Sequence, residues 1–403
     1  MAAKKKKSVT TKKNPMDDFT SDLISSINKD HGSKIAYNLH HDTSPTHVNR
    51  WISTGSTQLD YIISNRRGGG LPEGRIIEIF GPPSIGKSHI AIQIARSTQK
   101  MGGIVVYIDT ENATSVENLS LLGVDISKRF VYVDTHCTEE VLSIAESTIL
   151  KAKAMDKDVP VTIIWDSVAA TSPKAELLGD YDKETIGLQA RAISKGMRKI
   201  NGVIAGNNVL MICLNQIRMK IGVLYGDPTT TPGGKAIPFH SSVRIKLGAG
   251  SQILNKDKEV IGINVSAKTI KNKVSAPFRK CEFEIHFGKG IREHEQLFDF
   301  LRKHGAQQIG DNIVSVSGTS SWKELIVADA KTGEVKIEKK FYKSEFDQVL
   351  SSSEFKPYLD DLIEAAFVKK MTANENMDID TESYEEVRAV SMDLEDVLED
   401  LEG

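Results

Sequence analysis

Residues 81–88 have the types and the spacing that phosphate chemistry requires. They read Gly-Pro-Pro-Ser-Ile-Gly-Lys-Ser and fit the pattern G-x-x-x-x-G-K-[ST]. Glycines let backbone N–H groups turn toward a phosphate, Lys87 has the reach to contact the β- and γ-phosphates, and the Ser88 hydroxyl can bind Mg²⁺. An apolar run precedes the pattern and helical spacing follows it. The stretch predicts an ATP or GTP site made of Gly81, Pro82, Pro83, Ser84, Ile85, Gly86, Lys87 and Ser88.

Other polar residues follow directly after apolar, strand-like runs: Asp109, Glu111, Asp166, Asn215 and Gln216. Asp166 suits a water-mediated contact to Mg²⁺. Asp109 or Glu111 can orient or deprotonate the attacking water, and we favour Glu111 because it lies further out. Gln216 is a neutral donor that can sense a γ-phosphate. Taken singly, each is also typical of a polar residue that caps a helix, so the prediction depends on the set.

The apolar runs alternate with helical patterns, which lie at 116–122, 139–154 and 188–201. Such alternation predicts an α/β fold with a mostly parallel, doubly wound sheet. Ligands of these sheets bind at the carboxyl ends of the strands. The predicted fold therefore places the polar residues and the phosphate-binding stretch at one edge of the sheet.

Two long segments, 179–187 and 217–234, and the helical pattern between them suggest a second binding surface. Loops of this length are usually functional or disordered. Arg191, Lys195 and Arg198 share one helical face. Basic side chains beside such loops favour a track for a nucleic-acid backbone. A solvated basic face explains the same pattern equally well.

The bulk composition is that of a water-soluble globular protein. The chain has 403 residues, of which 39% are hydrophobic and 26% charged, and its net charge is −2. The three cysteines are scattered without metal-ligand spacing, which is typical of reduced thiols. The sequence has no apolar run of membrane-spanning length and no secretory signal, so we expect a cytoplasmic protein without a membrane partner.

Several longer stretches resemble the RecA-type recombinases. The resemblance runs from about residue 51 to 291, and NQIRMKIG and KNKVSAPF are far more specific to this family than a P-loop. The other stretches are ISTGSTQLD, GGGLPEGRIIEIFGPPSIGKS, YIDTENA, DSVAA, TSPKAE and GLQARAISKGMRKI. The resemblance implies a RecA-like P-loop ATPase core. It further implies a homo-oligomer, a helical filament on single-stranded DNA that holds ATP between protomers and pairs the strand with homologous duplex DNA.

The resemblance also implies roles for individual residues, which add to the roles that their chemistry suggests. The resemblance makes Glu111 the catalytic glutamate, and it makes Gln216 the link between the γ-phosphate and a DNA loop. Lys271 and Lys273 would reach a neighbour's γ-phosphate. Matches to DNA-contacting positions are Ile186, Arg191, Ser194, Arg198, Arg218, Gly233 and Gly234. Phe239 matches a residue at the interface between protomers.

Three departures from the family pattern concern binding. Asn118 stands where the family has a tyrosine that stacks on adenine, and Pro83 replaces an acidic residue. Gly248 and Ala249 stand where paired arginines help to hold a second DNA strand, which predicts a thinner secondary DNA site. Selectivity for adenine is therefore less firmly implied than binding of the triphosphate.

The predicted organisation has five parts. Residues 1–15 form a disordered basic tail, 16–50 an N-terminal docking helix and strand, 51–291 the ATPase core, 292–372 a small C-terminal α+β lobe, and 373–403 an acidic disordered tail. The strand is expected at 33–39. The acidic tail is either a brake that competes with DNA for basic surface or a solubilising or partner-docking segment.

The sequence predicts an ATP-dependent DNA recombinase and leaves two rivals. One is a hexameric helicase motor on the same fold, which the Lys-Asn-Lys segment argues against. The other is a non-hydrolysing accessory protein, which the intact Lys87, Ser88, Glu111 and Asp166 argue against. Cellular and phage origin both remain open, so the expected cytoplasm is that of the cell or of a virus's host.

Overall fold

The computed structural model describes residues 15–40, 42, 44, 46–180, 187–219, 229–318 and 321–369. The chain divides into two compact units, Met1–Asn49 and Arg50–Gly403. Within the described residues, no helix is long and apolar enough to cross a membrane. The predicted tails at 1–15 and 373–403 lie almost wholly outside the described residues, and the five predicted ranges stay predictions.

The first unit contains helix α1, Pro15–Asp30, followed by an irregular segment. The predicted strand at 33–39 is not formed. A strand needs a partner in register, and here the backbone N–H groups of Ile35 and Ala36 donate to the Asn28 side-chain oxygen instead, at 2.8 Å each. The Asn28 amide in turn donates to the Ala36 carbonyl at 3.0 Å. The helix is confirmed and the strand is wrong for the isolated chain.

The second unit carries the remaining elements. Its helices are α2 Thr57–Ser64, α3 Lys87–Lys100, α4 Val116–Leu121, α5 Thr138–Met155, α6 Lys174–Leu177, α7 Leu188–Gly206, α8 Ala236–His240, α9 His294–His304, α10 Phe346–Ser351 and α11 Lys356–Phe367. Its strands are β1 Trp51–Ile52, β2 Leu71–Pro72, β3 Arg75–Gly81, β4 Ile104–Asp109, β5 Phe130–Asp134, β6 Val161–Asp166, β7 Val209–Gln216, β8 Arg218–Met219, β9 Thr229–Thr230, β10 Val243–Leu254, β11 Val260–Asn272, β12 Lys280–His286, β13 Gly290–Arg292, β14 Gln307–Ile309, β15 Asn312–Ser317, β16 Trp322–Asp329 and β17 Val335–Tyr342.

A nine-stranded sheet organises this unit, in the order β13-β12-β11-β10-β3-β7-β6-β4-β5. The run from β10 through β3, β7, β6 and β4 to β5 is parallel, and the β10 to β13 side is antiparallel. The predicted α/β fold with a mostly parallel sheet is confirmed. The carboxyl ends of β3, β4, β6 and β7 lie side by side, which brings the predicted site residues to one edge.

Apolar residues on both faces of the parallel strands explain the two hydrophobic clusters that sandwich the sheet. Strands β6 and β7 are buried almost throughout, as expected when helices cover both faces. Tyr107 and Ile164 belong to the cluster beneath α3, whereas Trp165 and Ile108 belong to the cluster beneath α5 and α7. Successive strand residues thus alternate between two cores, which fixes the register of the strand ends.

The region after Arg292 builds a second, antiparallel sheet in the order β14-β15-β16-β17, with α9, α10 and α11 against one face. The expected α+β character is confirmed, and the sequence reading missed β14 and β16. Strand β16 begins Trp-Lys-Glu, and its two polar residues, Lys323 and Glu324, obscure the apolar alternation of Leu325 and Val327. Its apolar residues join the cluster that contains the α3 side of the main sheet.

Candidate nucleotide site and DNA-facing surface

The loop between β3 and α3 has the shape that phosphate binding requires. Gly86 and Ser84 have positive φ angles of 91° and 57°, which turn successive N–H groups inward. A Cβ atom on Gly86 would lie 2.2 Å from Cδ1 of Ile285, so a larger residue would also displace the end of that side chain. The loop ends at the first turn of α3, where the helix dipole favours an anion.

Lys87 lies across this loop and is buried. Its Nζ donates to the carbonyl oxygens of Gly81 at 3.2 Å and Pro82 at 2.7 Å. Burial lowers the pKa of Lys87, and the carboxylates of Asp166 and Glu111 oppose that shift. The ammonium is therefore held in place by two neutral acceptors, and a phosphate can replace these weaker partners.

Asp166 ends β6 beside the phosphate loop. Its Oδ2 accepts a hydrogen bond from the Tyr107 hydroxyl at 2.6 Å, and the Ser88 side chain also bonds to it. Burial raises the pKa of Asp166, while these two hydrogen bonds favour the ionised form. A hydroxyl and a carboxylate that already meet beside a phosphate loop fit Mg²⁺, whose preferred ligands are oxygen atoms.

Glu111 lies beyond the end of β4, with its carboxylate near the end of β7. Its Oε1 accepts hydrogen bonds from the Ser167 hydroxyl and, at 3.3 Å, from the Gln216 amide. Ser167 directly follows Asp166, so the two strand ends place the magnesium candidate next to the base candidate. The structure thus brings Lys87, Glu111 and Gln216 to one site.

Asp109 has a different environment from Glu111. Its carboxylate accepts from the N–H groups of Glu111 at 3.0 Å and Thr114 at 2.9 Å, and from the Tyr132 hydroxyl at 3.0 Å. The pKa of Asp109 is lowered because these hydrogen bonds outweigh its burial, which by itself raises the pKa. Asp109 is therefore occupied in holding the 109–114 turn, whereas the second oxygen of Glu111 has no partner within the described chain.

The predicted DNA-facing residues gather around the start of α7. Arg191, Ser194 and Arg198 line a depression of about 470 Å³ with Lys235, Ala236, Phe239, His240 and Ala190. Gly233 and Gly234 have positive φ angles of 89° and 71° where the second long segment meets α7. A Cβ on Gly234 would lie 2.9 Å from that of Ala190, so a larger residue would push this segment off the helix.

Part of the predicted DNA surface lies outside the described residues. Ile186 and most of the first loop belong to the gap at 181–186, and the centre of the second loop belongs to 220–228. At the base of the second loop, β8 pairs with β9 through Arg218 and Thr230. Arg218 is therefore presented, exposed, from a short hairpin that starts two residues after Gln216.

Lys271 lies near the carboxyl end of β11, opposite Arg244 of β10, and Lys273 follows directly after that strand. The Lys271 ammonium donates to the carbonyl oxygens of Pro238 at 2.7 Å and Phe239 at 2.9 Å. Burial and the like charges of Lys273 and Arg244 lower its pKa to about 8. The side chain of Phe239, whose carbonyl accepts one of these hydrogen bonds, is 52% exposed.

Sequence reasoning missed three residues of this site: Tyr107, Ser167 and the buried Glu78. The signal for Tyr107 was a lone hydroxyl in an otherwise apolar strand, since such a group usually finds a partner. Glu78 is fully buried, and its carboxylate accepts hydrogen bonds from Arg244 Nε at 2.6 Å and from the Asn215 amide at 3.0 Å. Its signal was likewise a single polar residue in an apolar strand, since it lies within the run Ile-Ile-Glu-Ile-Phe.

A phosphate loop, a buried carboxylate after a neighbouring parallel strand and a glutamate positioned by a strand-end glutamine define a P-loop nucleoside triphosphatase with a RecA-like sheet. The RecA N-terminal domain family model matches residues 19–292 of this chain. The chain belongs to the RecA family. It is a DNA recombinase that functions in recombination and repair.

Relatives named Protein RecA align over most of the chain. The protein from Wolinella succinogenes is 40% identical over 306 residues, which cover 76% of this chain and 81% of that relative. The protein from Chloroherpeton thalassium is 40% identical over 285 residues, covering 69% and 76%. That from Sulfurimonas denitrificans is 44% identical over 250 residues, covering 62% and 69%. The predicted family is confirmed, and the match to the family model ends at residue 292, just before α9 and the second sheet.

Proposed function

We propose that this recombinase hydrolyses ATP with Mg²⁺ when it is assembled as a filament on single-stranded DNA, and that the filament pairs that strand with homologous duplex DNA. The observation that carries the proposal is the Glu111 carboxylate, held at one oxygen by Ser167 and Gln216 beside the phosphate loop. A glutamate with one free oxygen at this position is suited to accept a proton from the attacking water.

The hydrolytic roles follow from the geometry. The N–H groups of the phosphate loop and the Lys87 ammonium bind the β- and γ-phosphates, and Glu111 orients and deprotonates the water. Ser88 and Asp166 hold Mg²⁺, which supplies positive charge at the phosphate oxygens. In this proposal, the residues from Gly81 to Ser88 and Asp166 bind the nucleotide, and Ser88 and Asp166 are the two that bind the metal ion.

Gln216 connects ATP hydrolysis to DNA binding, because it lies two residues before the β8–β9 strand pair. Its amide contacts Glu111, and Arg218 begins the hairpin that carries the second long segment. A γ-phosphate that draws the Gln216 amide away from Glu111 pulls on β8, so nucleotide binding and DNA binding bias the same hairpin. Arg191, Ser194, Arg198, Arg218, Gly233 and Gly234 form the DNA contact in this proposal, with Ile186 as an apolar wedge between bases.

Assembly completes the active site from a second protomer. Lys271 lies beside the start of β10 and donates to the Pro238 carbonyl of its own chain, and the neighbouring Phe239 is exposed. At the other end of the chain, α1 exposes Phe19 (60%) and Leu23 (47%) on one face. Exposed apolar groups of this size mark interaction sites, and the two faces suit a head-to-tail contact that repeats into a filament. We place this filament in the cytoplasm.

The test compares ATP hydrolysis with and without single-stranded DNA for the wild type, Lys271→Ala and a control, Lys256→Ala. Lys256 is an exposed lysine at the tip of the β10–β11 hairpin. We expect strong stimulation by DNA in the wild type and the control, and a loss of about 10³-fold or more in Lys271→Ala, since an arginine-finger equivalent contributes about 10³–10⁵ in kcat.

Each alternative result contradicts a different part of the proposal. Hydrolysis that ignores DNA, with ring-shaped particles, would favour a helicase motor. Absence of hydrolysis under all conditions would favour an accessory protein. DNA-stimulated hydrolysis that survives Lys271→Ala would retain the ATPase and remove the lysine from the interface.

A further inference from the structure

A pocket of about 580 Å³ lies at the end of α3 that is remote from the phosphate loop. Lys87 begins α3 beside that loop and Lys100 ends it at this pocket, so roughly 20 Å of helix separates the two sites. The other walls are β1, the turn after α2 and the turn before β13. None of the lining residues belongs to the nucleotide site or to the DNA-facing surface, and the volume is typical of a small-molecule site, about 300–1,000 Å³.

Four cationic side chains line this pocket from three different elements: Arg66, Arg96, Lys100 and Lys289. Within the described part of the chain, none of the four forms an ion pair. The dipole of α3 favours a cation in the last turn of the helix, which explains Lys100. It does not explain Arg66 and Lys289, because these two lie on other elements. The pocket therefore gathers more positive charge than a helix end by itself favours.

The acidic residue among those that line the pocket is already engaged. Asp60 accepts hydrogen bonds from the Ser53 hydroxyl at 2.5 Å and from the Thr54 N–H and hydroxyl at 2.8 Å and 2.7 Å. Burial raises the pKa of its carboxyl to about 7, so near neutral pH the carboxyl is only partly ionised. Asp60 therefore offsets little of the positive charge in the pocket.

A glutamine in the wall of this pocket has an unpaired amide. Gln93 lines the pocket and is only 7% exposed, and its side chain forms no hydrogen bond with any residue that the structure describes. Its Nε2 lies against the turn before β13, since a Cβ atom on Gly290 would be 2.4 Å from it, and Gly290 directly follows Lys289. Buried polar side chains nearly always have a hydrogen-bond partner, so this amide indicates a ligand with acceptor oxygens.

The arrangement of cations suits linked phosphate groups better than a single carboxylate. Arg96 and Lys100 are four residues apart and are therefore neighbours on one face of α3, whereas Arg66 and Lys289 come from other walls. A phosphate group carries about 1.5–2 negative charges near pH 7, so two linked phosphates match the charge of these cations within a small volume. The guanidinium fork also fits phosphate oxygens, which it can contact through two parallel hydrogen bonds.

We propose that this pocket is a second anion site of the protein, and that it binds a diphosphate group, either that of free pyrophosphate or that of a nucleotide. Arg96, Lys100 and Lys289 contact the phosphate oxygens, and the Gln93 amide donates a hydrogen bond to one of them. The ligand contacts the same helix as the nucleotide does in the phosphate loop, at the opposite end of that helix.

The experiment titrates pyrophosphate into the full chain without Mg²⁺, at constant ionic strength, and follows tryptophan fluorescence. The Arg66 guanidinium lies over the Trp51 ring at 5.0 Å, so a phosphate that draws Arg66 away changes the emission of Trp51. We expect a saturable change with half-saturation below about 1 mM, and we expect Trp51→Phe to abolish it. A wild-type response that does not saturate, or one that persists in Trp51→Phe, overturns the proposal.

Variants separate this pocket from the phosphate loop. Arg96→Ala with Lys100→Ala should weaken binding by about tenfold or more, because hydrogen bonds to charged groups contribute at least that factor. Lys151→Ala with Lys303→Ala, two exposed lysines elsewhere, is the matched control and should bind like the wild type. Lys87→Ala should leave the half-saturation unchanged, and calorimetry on the Lys87→Ala protein repeats the comparison without fluorescence. A response lost in Lys87→Ala, or unchanged when Arg96 and Lys100 are both replaced, overturns the assignment.

Other phosphates, titrated into the Lys87→Ala protein, identify the ligand chemistry and its source. Pyrophosphate and ADP should each bind about tenfold or more tightly than inorganic phosphate and AMP, which lack the second phosphate. Tighter binding of ADP than of pyrophosphate supports a nucleotide as the source, and the reverse order supports free pyrophosphate. Inorganic phosphate that binds as tightly as pyrophosphate overturns the diphosphate assignment. None of these readouts uses ATP hydrolysis or DNA, so failure here leaves the proposed ATPase untouched.

Discussion

Three carboxylates at adjacent strand ends differ in what their oxygen atoms contact. Both carboxylate oxygens of Asp109 accept hydrogen bonds from the turn after β4, and Asp166 accepts hydrogen bonds from Tyr107 and Ser88. Glu111 has both of its hydrogen bonds on Oε1. Of these three carboxylates, only Glu111 therefore has an oxygen that can accept a proton from water without breaking a hydrogen bond of the turn or of the proposed metal site.

We expect Glu111→Gln to lower single-turnover ATP hydrolysis on single-stranded DNA by about 10²–10⁴-fold, because a general base contributes that much. Nucleotide affinity should change little, since the phosphate loop and Lys87 remain. The measurement is rapid-quench hydrolysis alongside binding of a fluorescent ATP analogue. Glu117→Gln, on the exposed side of α4, is the matched control. A Glu111→Gln rate within a few-fold of the wild type would remove this residue from the chemistry.

At the scale of elements, a buried ion pair joins three strands. Glu78 of β3 contacts Arg244 of β10 and Asn215 of β7, and the same Asn215 amide donates to the Pro232 carbonyl at 3.0 Å. The Arg244 guanidinium also lies over the Phe80 ring at 4.7 Å. Through Asn215, the end of the second DNA-facing segment at Pro232 is therefore linked by hydrogen bonds to β3, the strand that leads into the phosphate loop.

We expect Arg244→Leu to lower the free energy of unfolding by about 3–5 kcal/mol, because it leaves the Glu78 carboxylate buried without its counter-charge. Chemical denaturation measures the change. Adding Glu78→Gln should recover more than half of the loss, since the amide can still bond to Asn215 and carries no charge. Exposed Lys280→Leu should have little effect. A double variant as unstable as Arg244→Leu alone would show that lost packing, and not the orphaned charge, causes the destabilisation.

At the scale of the whole molecule, the charge of Lys271, which we propose serves a neighbouring protomer, depends on its surroundings. Burial, Lys273 and Arg244 lower the pKa of Lys271 to about 8 in the single chain. Between that value and the unfolded value near 10.4 the unfolded chain binds more protons, so this lysine makes stability rise with pH in that window. In the proposed filament, a neighbour's γ-phosphate would favour the charged form and raise the pKa of Lys271 again.

Assembly with ATP at pH 8.5 should therefore take up about 0.8 proton per protomer at Lys271, because a lysine with a pKa of about 8 is already about one quarter protonated at that pH. Calorimetry in two buffers of different ionisation enthalpy measures this uptake. Lys271→Arg stays charged throughout, so its uptake should be smaller by that amount while assembly survives. Equal uptake in both proteins would mean that Lys271 meets no anion at the interface.

Local sequence patterns were sufficient to predict the helices and strands of the core and the kinds of side chain at its site. The phosphate loop, the parallel strands and the polar residues at their ends follow from apolar runs and glycine spacing, because these signals act within a few residues. Motifs in 51–291 also identified the family that the comparisons confirm. Short, mixed strands such as β16 were missed because polar residues interrupt their alternation.

Only the tertiary structure decided which strand-end carboxylate is free, since that depends on partners from other strands, such as Tyr132 for Asp109 and Ser167 for Glu111. It also decided that the 33–39 segment bonds to Asn28 instead of forming a strand, and that Glu78, Arg244 and Asn215 meet. These contacts join residues up to 166 positions apart in the chain. Spacing along a sequence carries no information on such pairs, because the sheet order that brings them together is set by packing of the whole core.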